Sequence, residues 1–264
     1  MKRRIKKIVL LLCLLVLILI MAILISLVNN KSKSNSDSYI EEDIKLNFES
    51  RIDKLKTFDS GEYYKFAWIQ IQGTNIDLPV LDAASSPNVK TINYSYSWMS
   101  PNYITGENRP VIMGHNILNV SNEPMLPDKS LKNFEELMAF SYYGFAKDNL
   151  YIEYTTENSD DIYLIYAIGF YDYNYDQSES LSSKDAIDKY IKSVKKNSIY
   201  DYNIDVNSSD DIITIKTCTR YFGANEKQQF IIEARKLRKD EKTVKYQVEM
   251  NNNYKKLNLK KENI

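Results

Sequence analysis

The chain has 264 residues, 44% hydrophobic and 27% charged, with 35 basic against 35 acidic side chains. Seven glycines and six prolines exclude collagen-like and linker-dominated classes, and 21 tyrosines with nine phenylalanines exclude disorder beyond the ends. The zero net charge conceals a split. Residues 1–33 carry Lys2, Arg3, Arg4, Lys6, Lys7, Lys31 and Lys33 and no acid, leaving 28 basic against 35 acidic residues, a net of −7, for the body. A mildly acidic body excludes nucleic acid as a partner, because displacing counterions from phosphates needs a basic face.

In chain order, residues 1–7 form a basic N-terminus and residues 8–28, IVLLLCLLVLILIMAILISLV, run without a charge. At about 1.5 Å per residue this stretch spans a hydrocarbon core of roughly 30 Å. It is too long for a signal-peptide core and lacks a small-x-small cleavage site. Five cations before it and two after it predict a cytoplasmic N-terminus, a single transmembrane helix and an extracellular body at the cell membrane. The polar residues 29–38 read as a linker.

Ile40, Ile44, Phe48, Ile52 and Leu55 recur at helical spacing and predict an amphipathic helix over 39–57. Short β-branched and aromatic runs follow at Tyr64–Gln72, Ile76–Leu81, Pro110–Met113, Leu150–Tyr154, Ile162–Phe170, Asp211–Thr217 and Phe230–Leu237. They predict a mostly β fold, an antiparallel barrel or sandwich. Two helices interrupt them: one is marked by Leu131, Phe134, Leu137 and Met138, the other by Ala186, Ile187, Tyr190, Ile191 and Val194. A Ser182-x-x-Asp185 box opens the second and Lys195-Lys196 close it. Residues 239–264, rich in Lys, Asn and Glu, read as a charged C-terminal tail.

Chemistry concentrates in two residues. His115, the sole histidine, ends the β-run Val111-Ile-Met-Gly-His-Asn116, and Cys218, the sole exported thiol, ends Ile213-Thr-Ile-Lys-Thr-Cys218. Strand ends are where rigid scaffolds present reactive groups. A thiol with an imidazole is the minimal set for covalent acyl chemistry, a nucleophile and an acid/base titrating near neutrality. By itself Cys218 is equally well a small buried hydrophobe. One His and one Cys cannot supply a zinc site, and no acidic spacing suits calcium, so neither metal nor cofactor is expected.

The order of these motifs resembles the sortases, Gram-positive cysteine transpeptidases. The features that match the class B subgroup are the N-terminal helix, the run Trp68-Ile-Gln-Ile-Gln-Gly-Thr-Asn-Ile-Asp-Leu-Pro-Val80 and a helix over 183–197 between the sixth and seventh strands. The resemblance covers residues 39–238, the expected catalytic domain. It implies an eight-stranded β-barrel in which Cys218 attacks the Thr carbonyl of a C-terminal sorting signal and His115 protonates the leaving amine. The implied partners are secreted proteins with such a signal and a peptidoglycan amine. Thr217, Asn116, Tyr173 and Tyr175 become candidates for the substrate groove.

One position departs from the family. Sortases carry an arginine just before the last strand, and aligning Phe230-Ile-Ile-Glu-Ala-Arg235 with that strand puts Gln229 there. Glutamine donates a neutral hydrogen bond and brings no charge. Arg220 and Lys216, each two residues from the thiol, are the candidate substitutes. Three alternatives stay open: a pilin-polymerising sortase whose acceptor is a lysine, a degenerate fold that binds peptide without turnover, and an extracytoplasmic cysteine hydrolase.

Overall fold

The computed structural model describes residues 20–21, 39–61, 64–82, 97–99, 109–116, 134–172, 183–221 and 228–254. The chain divides into two compact units, Met1–Ser38 and Tyr39–Ile264. Of the expected membrane span only Ile20 and Met21 are described, both helical; the rest of residues 8–28 lies outside the described residues. Among the described residues no helix is long and apolar enough to cross a membrane.

Among the described residues the second unit has twelve strands. They are β1 (Tyr39–Asp43), β2 (Lys65–Ile71), β3 (Asp77–Asp82), β4 (Ser97–Met99), β5 (Val111–Gly114), β6 (Tyr151–Thr155), β7 (Asp160–Asp172), β8 (Tyr200–Asp201), β9 (Ile212–Thr219), β10 (Gln228–Lys236), β11 (Val244–Tyr246) and β12 (Glu249–Met250). Eight close a barrel in the order β10-β7-β6-β2-β3-β4-β5-β9, the predicted architecture. All seven predicted runs are strands, displaced by no more than about two residues at either end. β3–β4 and β5–β9 are parallel pairs within an otherwise antiparallel barrel. The interior is aliphatic and aromatic: Ile69, Ile152, Ile165, Ile213, Ile215, Phe230 and Ile232 are fully buried. Each such side chain contributes about 1.5–3 kcal/mol by leaving water.

Helices α1 (Ile52–Thr57), α2 (Tyr143–Ala146) and α3 (Lys184–Asn197), with a 3₁₀ helix at Phe134–Ser141, complete the unit. α3 lies between the sixth and seventh barrel strands in chain order, β7 and β9. Ser183, not Ser182, is its N-cap, accepting from the Ala186 amide at 3.2 Å. Ile191 and Val194 are buried, the stripe expected of an amphipathic helix.

Two sequence expectations change. The helix predicted over 39–57 is instead strand β1, an extended stretch and the short α1. Residues four apart share a face in an extended chain as well as in a helix, so Ile40, Ile44 and Phe48 suited either. Leu46, half-buried between Ile44 and Phe48, marks the period of two. Ile44 exchanges hydrogen bonds with Thr243, its amide donating at 2.9 Å and its carbonyl accepting from Oγ1 at 2.8 Å. That pairing also corrects the C-terminal tail. Residues 239–254 are structured: β11 pairs with β1, β12 pairs with β8, and Val244, Tyr246 and Val248 are buried.

Candidate active site

β5 and β9 run side by side in parallel, with Met113 opposite Lys216 and Gly114 opposite Thr217. The next residues on these neighbouring strand ends are His115, just past β5, and Cys218, within β9. The two candidate residues therefore lie at the same end of neighbouring strands. The adjacency continues past the strand end, because Asn116 Nδ2 donates to the Cys218 carbonyl at 3.0 Å. Cys218 is exposed and His115 half-buried.

Three contacts fix the histidine loop. Gly114 has no room for a Cβ, which would meet the Phe134 ring at 2.2 Å, so only glycine lets the 3₁₀ helix press against the strand end. The Phe134 amide donates to the His115 carbonyl at 3.1 Å. Thr217 Oγ1 donates to the Gly114 carbonyl at 2.7 Å. Thr217 therefore faces away from Cys218 and is buried, a correction to its expected place in the groove. Tyr173 and Tyr175 lie outside the described residues.

On the other side of β9, Cys218 pairs directly with Gln229 of β10. The Cys218 carbonyl is turned toward Asn116, so this antiparallel pair is the non-hydrogen-bonded kind, whose Cα atoms lie about 4.5 Å apart with close side chains. The position expected to carry arginine is thus beside the sulfur, occupied by a neutral side chain that is buried and donates through Nε2 to the Asp172 carbonyl at 3.0 Å. Lys216 shares the Cys218 face by strand alternation, and Arg220 follows the end of β9, exposed. Arg235 is sealed away, bound through both terminal nitrogens to Glu241 at 2.7 Å.

Although Cys218 is exposed, the protein around its sulfur partly desolvates the thiol and pushes it above its ordinary range, with the cations Lys216 and Arg220 opposing the rise. Burial also lowers the His115 imidazolium, while Glu135 favours its charged form. The neutral thiol with neutral imidazole is therefore the resting pair, and thiolate with imidazolium the minor one. Glu135, fully buried in the 3₁₀ helix, is a residue that sequence reasoning missed. An acidic pair inside the apolar run Leu131–Met138 was the available signal.

A second missed feature lies on the same sheet face, four residues from Cys218 and Gln229. Glu233 is 1% exposed and accepts from Thr214 Oγ1 at 3.0 Å, from Tyr166 at 3.4 Å and from the Tyr190 hydroxyl of α3 at 2.5 Å. The Arg109 guanidinium stacks 3.9 Å from the centre of the Tyr190 ring. One carboxylate thereby ties α3 to β7, β9 and β10. No cluster of metal-ligating side chains occurs among the described residues.

A family model described as the sortase domain matches residues 69–237. The fold is similar to that of Clostridium perfringens sortase B, at 22% identity and a TM-score of 0.55, covering 70% of this chain and 99% of that one. It is similar also to a Staphylococcus aureus sortase B–substrate complex, at 13% identity and a TM-score of 0.55, covering 72% and 86%. The sortase B of a type II pilus of Streptococcus pneumoniae matches at 19% identity and a TM-score of 0.50, covering 65% and 91%. Curated protein sequences give no match. With the sortase model spanning well over half of its length, and with a class B-like barrel that brings Cys218 and His115 to the ends of adjacent strands, the chain belongs to the sortase family of cysteine transpeptidases.

Proposed function

We propose that this sortase is anchored by residues 8–28, with its N-terminus cytoplasmic and its barrel outside, and joins secreted proteins to a peptidoglycan amine. The observation that carries the chemistry is the parallel β5–β9 register that leads His115 to Cys218.

The Cys218 thiolate adds to the carbonyl of a Thr in the sorting signal. The tetrahedral adduct collapses, the C–N bond breaks, and the His115 imidazolium gives its proton to the departing amine. A thioester on Cys218 remains. An incoming amine then adds to it, His115 takes the amine's proton, and the thiolate leaves. Dividing one acyl transfer into two steps is the advantage of the covalent route, and the acid/base contributes about 10²–10⁴ in rate. Lys216 and Arg220 supply the positive field that the family places at the position of Gln229.

Full-length protein in detergent, incubated with peptides bearing one internal Thr and with hydroxylamine, tests this reading. The expected product is the Thr hydroxamate, absent in Cys218→Ala. Cleavage that survives Cys218→Ala overturns it. A second reading, a peptide-binding module without turnover, is favoured by the neutral Gln229 opposite the sulfur; peptide binding with no hydroxamate supports that reading instead. A thioester that goes only to water when amine is present marks a hydrolase.

A further inference from the structure

We infer that Asn116 is a positioning residue that holds His115 in register with Cys218. This inference rests on the catalytic pairing proposed above. The β5 strand ends at Gly114, and the carbonyl of the next residue, His115, is bound by the Phe134 amide. The main chain of His115 is thereby drawn toward the 3₁₀ helix, and the β5–β9 ladder ends one residue short of the two reacting side chains. The Asn116 carboxamide spans that gap: Nδ2 donates to the Cys218 carbonyl at 3.0 Å. Below it, Thr217 Oγ1 binds the Gly114 carbonyl at 2.7 Å.

The two side-chain bonds are reciprocal. A β9 hydroxyl holds the β5 backbone just before His115, and an amide just after His115 holds the β9 backbone at Cys218. Between them the His115 main chain is held at the end of β5, next to the Cys218 end of β9. Without the Asn116 bond, the segment after Gly114 loses this tie to β9, and the Phe134 bond to the His115 carbonyl carries no information about where Cys218 lies. The loss falls on the proton transfers between sulfur and imidazole, and on the protonation coupling of the pair, rather than on peptide binding.

The experiment follows carbamidomethylation of Cys218 by iodoacetamide across pH 5–10 in the full-length protein, read by mass spectrometry of the Cys218 peptide so that Cys13 does not interfere. Wild type, His115→Ala, Asn116→Ala, Asn116→Leu and Asn116→Gln are compared. Asn116→Leu keeps the volume without a donor and serves if the alanine variant does not fold. The expected result is that both donor-less variants take on the profile of His115→Ala, that Asn116→Gln recovers part of the wild-type profile, and that peptide cleavage falls about tenfold in kcat with KM unchanged. A wild-type profile in Asn116→Ala or Asn116→Leu, with His115→Ala clearly altered, overturns the inference and leaves the pairing intact. Identical profiles for wild type and His115→Ala overturn the pairing itself, and the inference with it.

Discussion

The outer face of β9 and β10 has two ends that differ in almost every physical respect. At one, Cys218 and Gln229 stand side by side with the sulfur exposed; at the other, about 13 Å away along the strands, Thr214 and Glu233 stand side by side beneath α3. The sealed end holds a carboxylate with three hydroxyl donors and a stacked guanidinium. The open end holds a thiol that burial of its surroundings keeps mostly protonated, and an amide turned to a main-chain oxygen. The same two strands thus carry the reactive groups at one end and their anchorage at the other. Rigidity comes from buried polar bonds, each of which costs much to break, so the reactive end can stay uncovered without losing its geometry.

Substitutions separate the two ends. At the open end, Cys218→Ala removes the nucleophile and is expected to lower hydroxamate formation at least about 10⁴-fold, while the denaturation midpoint moves little because the side chain is exposed. His115→Ala is expected to cost about 10²–10⁴. At the sealed end the order reverses. Glu233→Ala leaves the Thr214, Tyr166 and Tyr190 hydroxyls without their shared acceptor and Arg109 without the opposite charge, and is expected to cost about 3–5 kcal/mol in urea denaturation, with Cys218 still reactive in the folded fraction. Tyr190→Phe deletes a single donor and is expected to cost about 1–2 kcal/mol. If Glu233→Ala abolished cleavage at unchanged stability, the division between the ends would fail.

The ends also differ in pH response. Burial raises the Glu233 carboxyl; the unfolded chain therefore ionises it first, and stability falls as pH rises from the ordinary carboxylate range toward the raised one. Glu233→Gln is expected to flatten that decline in a series of melting temperatures. At the open end, cleavage needs thiolate with imidazolium. With His115 lowered and Cys218 raised, that pair is most populated between the two values, so cleavage follows a bell. Alkylation needs thiolate alone and is expected to keep rising through the alkaline limb.

The open end was legible in the sequence and the sealed end was not, for a definite reason. Cys218 and His115 are rare residue types at the ends of β-runs, and rarity together with position is a local signal. Glu233 sits in the apolar run Phe230-Ile-Ile-Glu-Ala-Arg235, and Arg109 just ahead of a strand. What makes them a unit is contact among β7, β9, β10 and α3, which no local pattern encodes. The barrel strands were legible as short runs rich in β-branched and aromatic residues. The N-terminal arm was not, because a spacing of four satisfies strand and helix alike. The strand β11 was hidden by a Lys- and Asn-rich composition, although Val244, Tyr246 and Val248 alternate as a strand requires.

The smallest effects test which cation serves the sulfur. Lys216 and Arg220 both lower the Cys218 thiol against its burial, so removing either should raise it and slow alkylation near neutrality. A partly exposed charge is worth about 0.2–1 kcal/mol, which sets the expected slowing at about 1.4-fold to fivefold, and added salt should shrink it. Gln229→Arg works in the opposite direction. The guanidinium has donors to spare, so one N–H can keep the Asp172 carbonyl while another faces the neighbouring sulfur. Alkylation near neutrality should then rise by a similar factor, and the effect of Lys216→Ala or Arg220→Ala should diminish in that background. Additive effects in the double variants would mean that the three positions act on the sulfur separately; a reduced effect is the mark of a shared role at the open end.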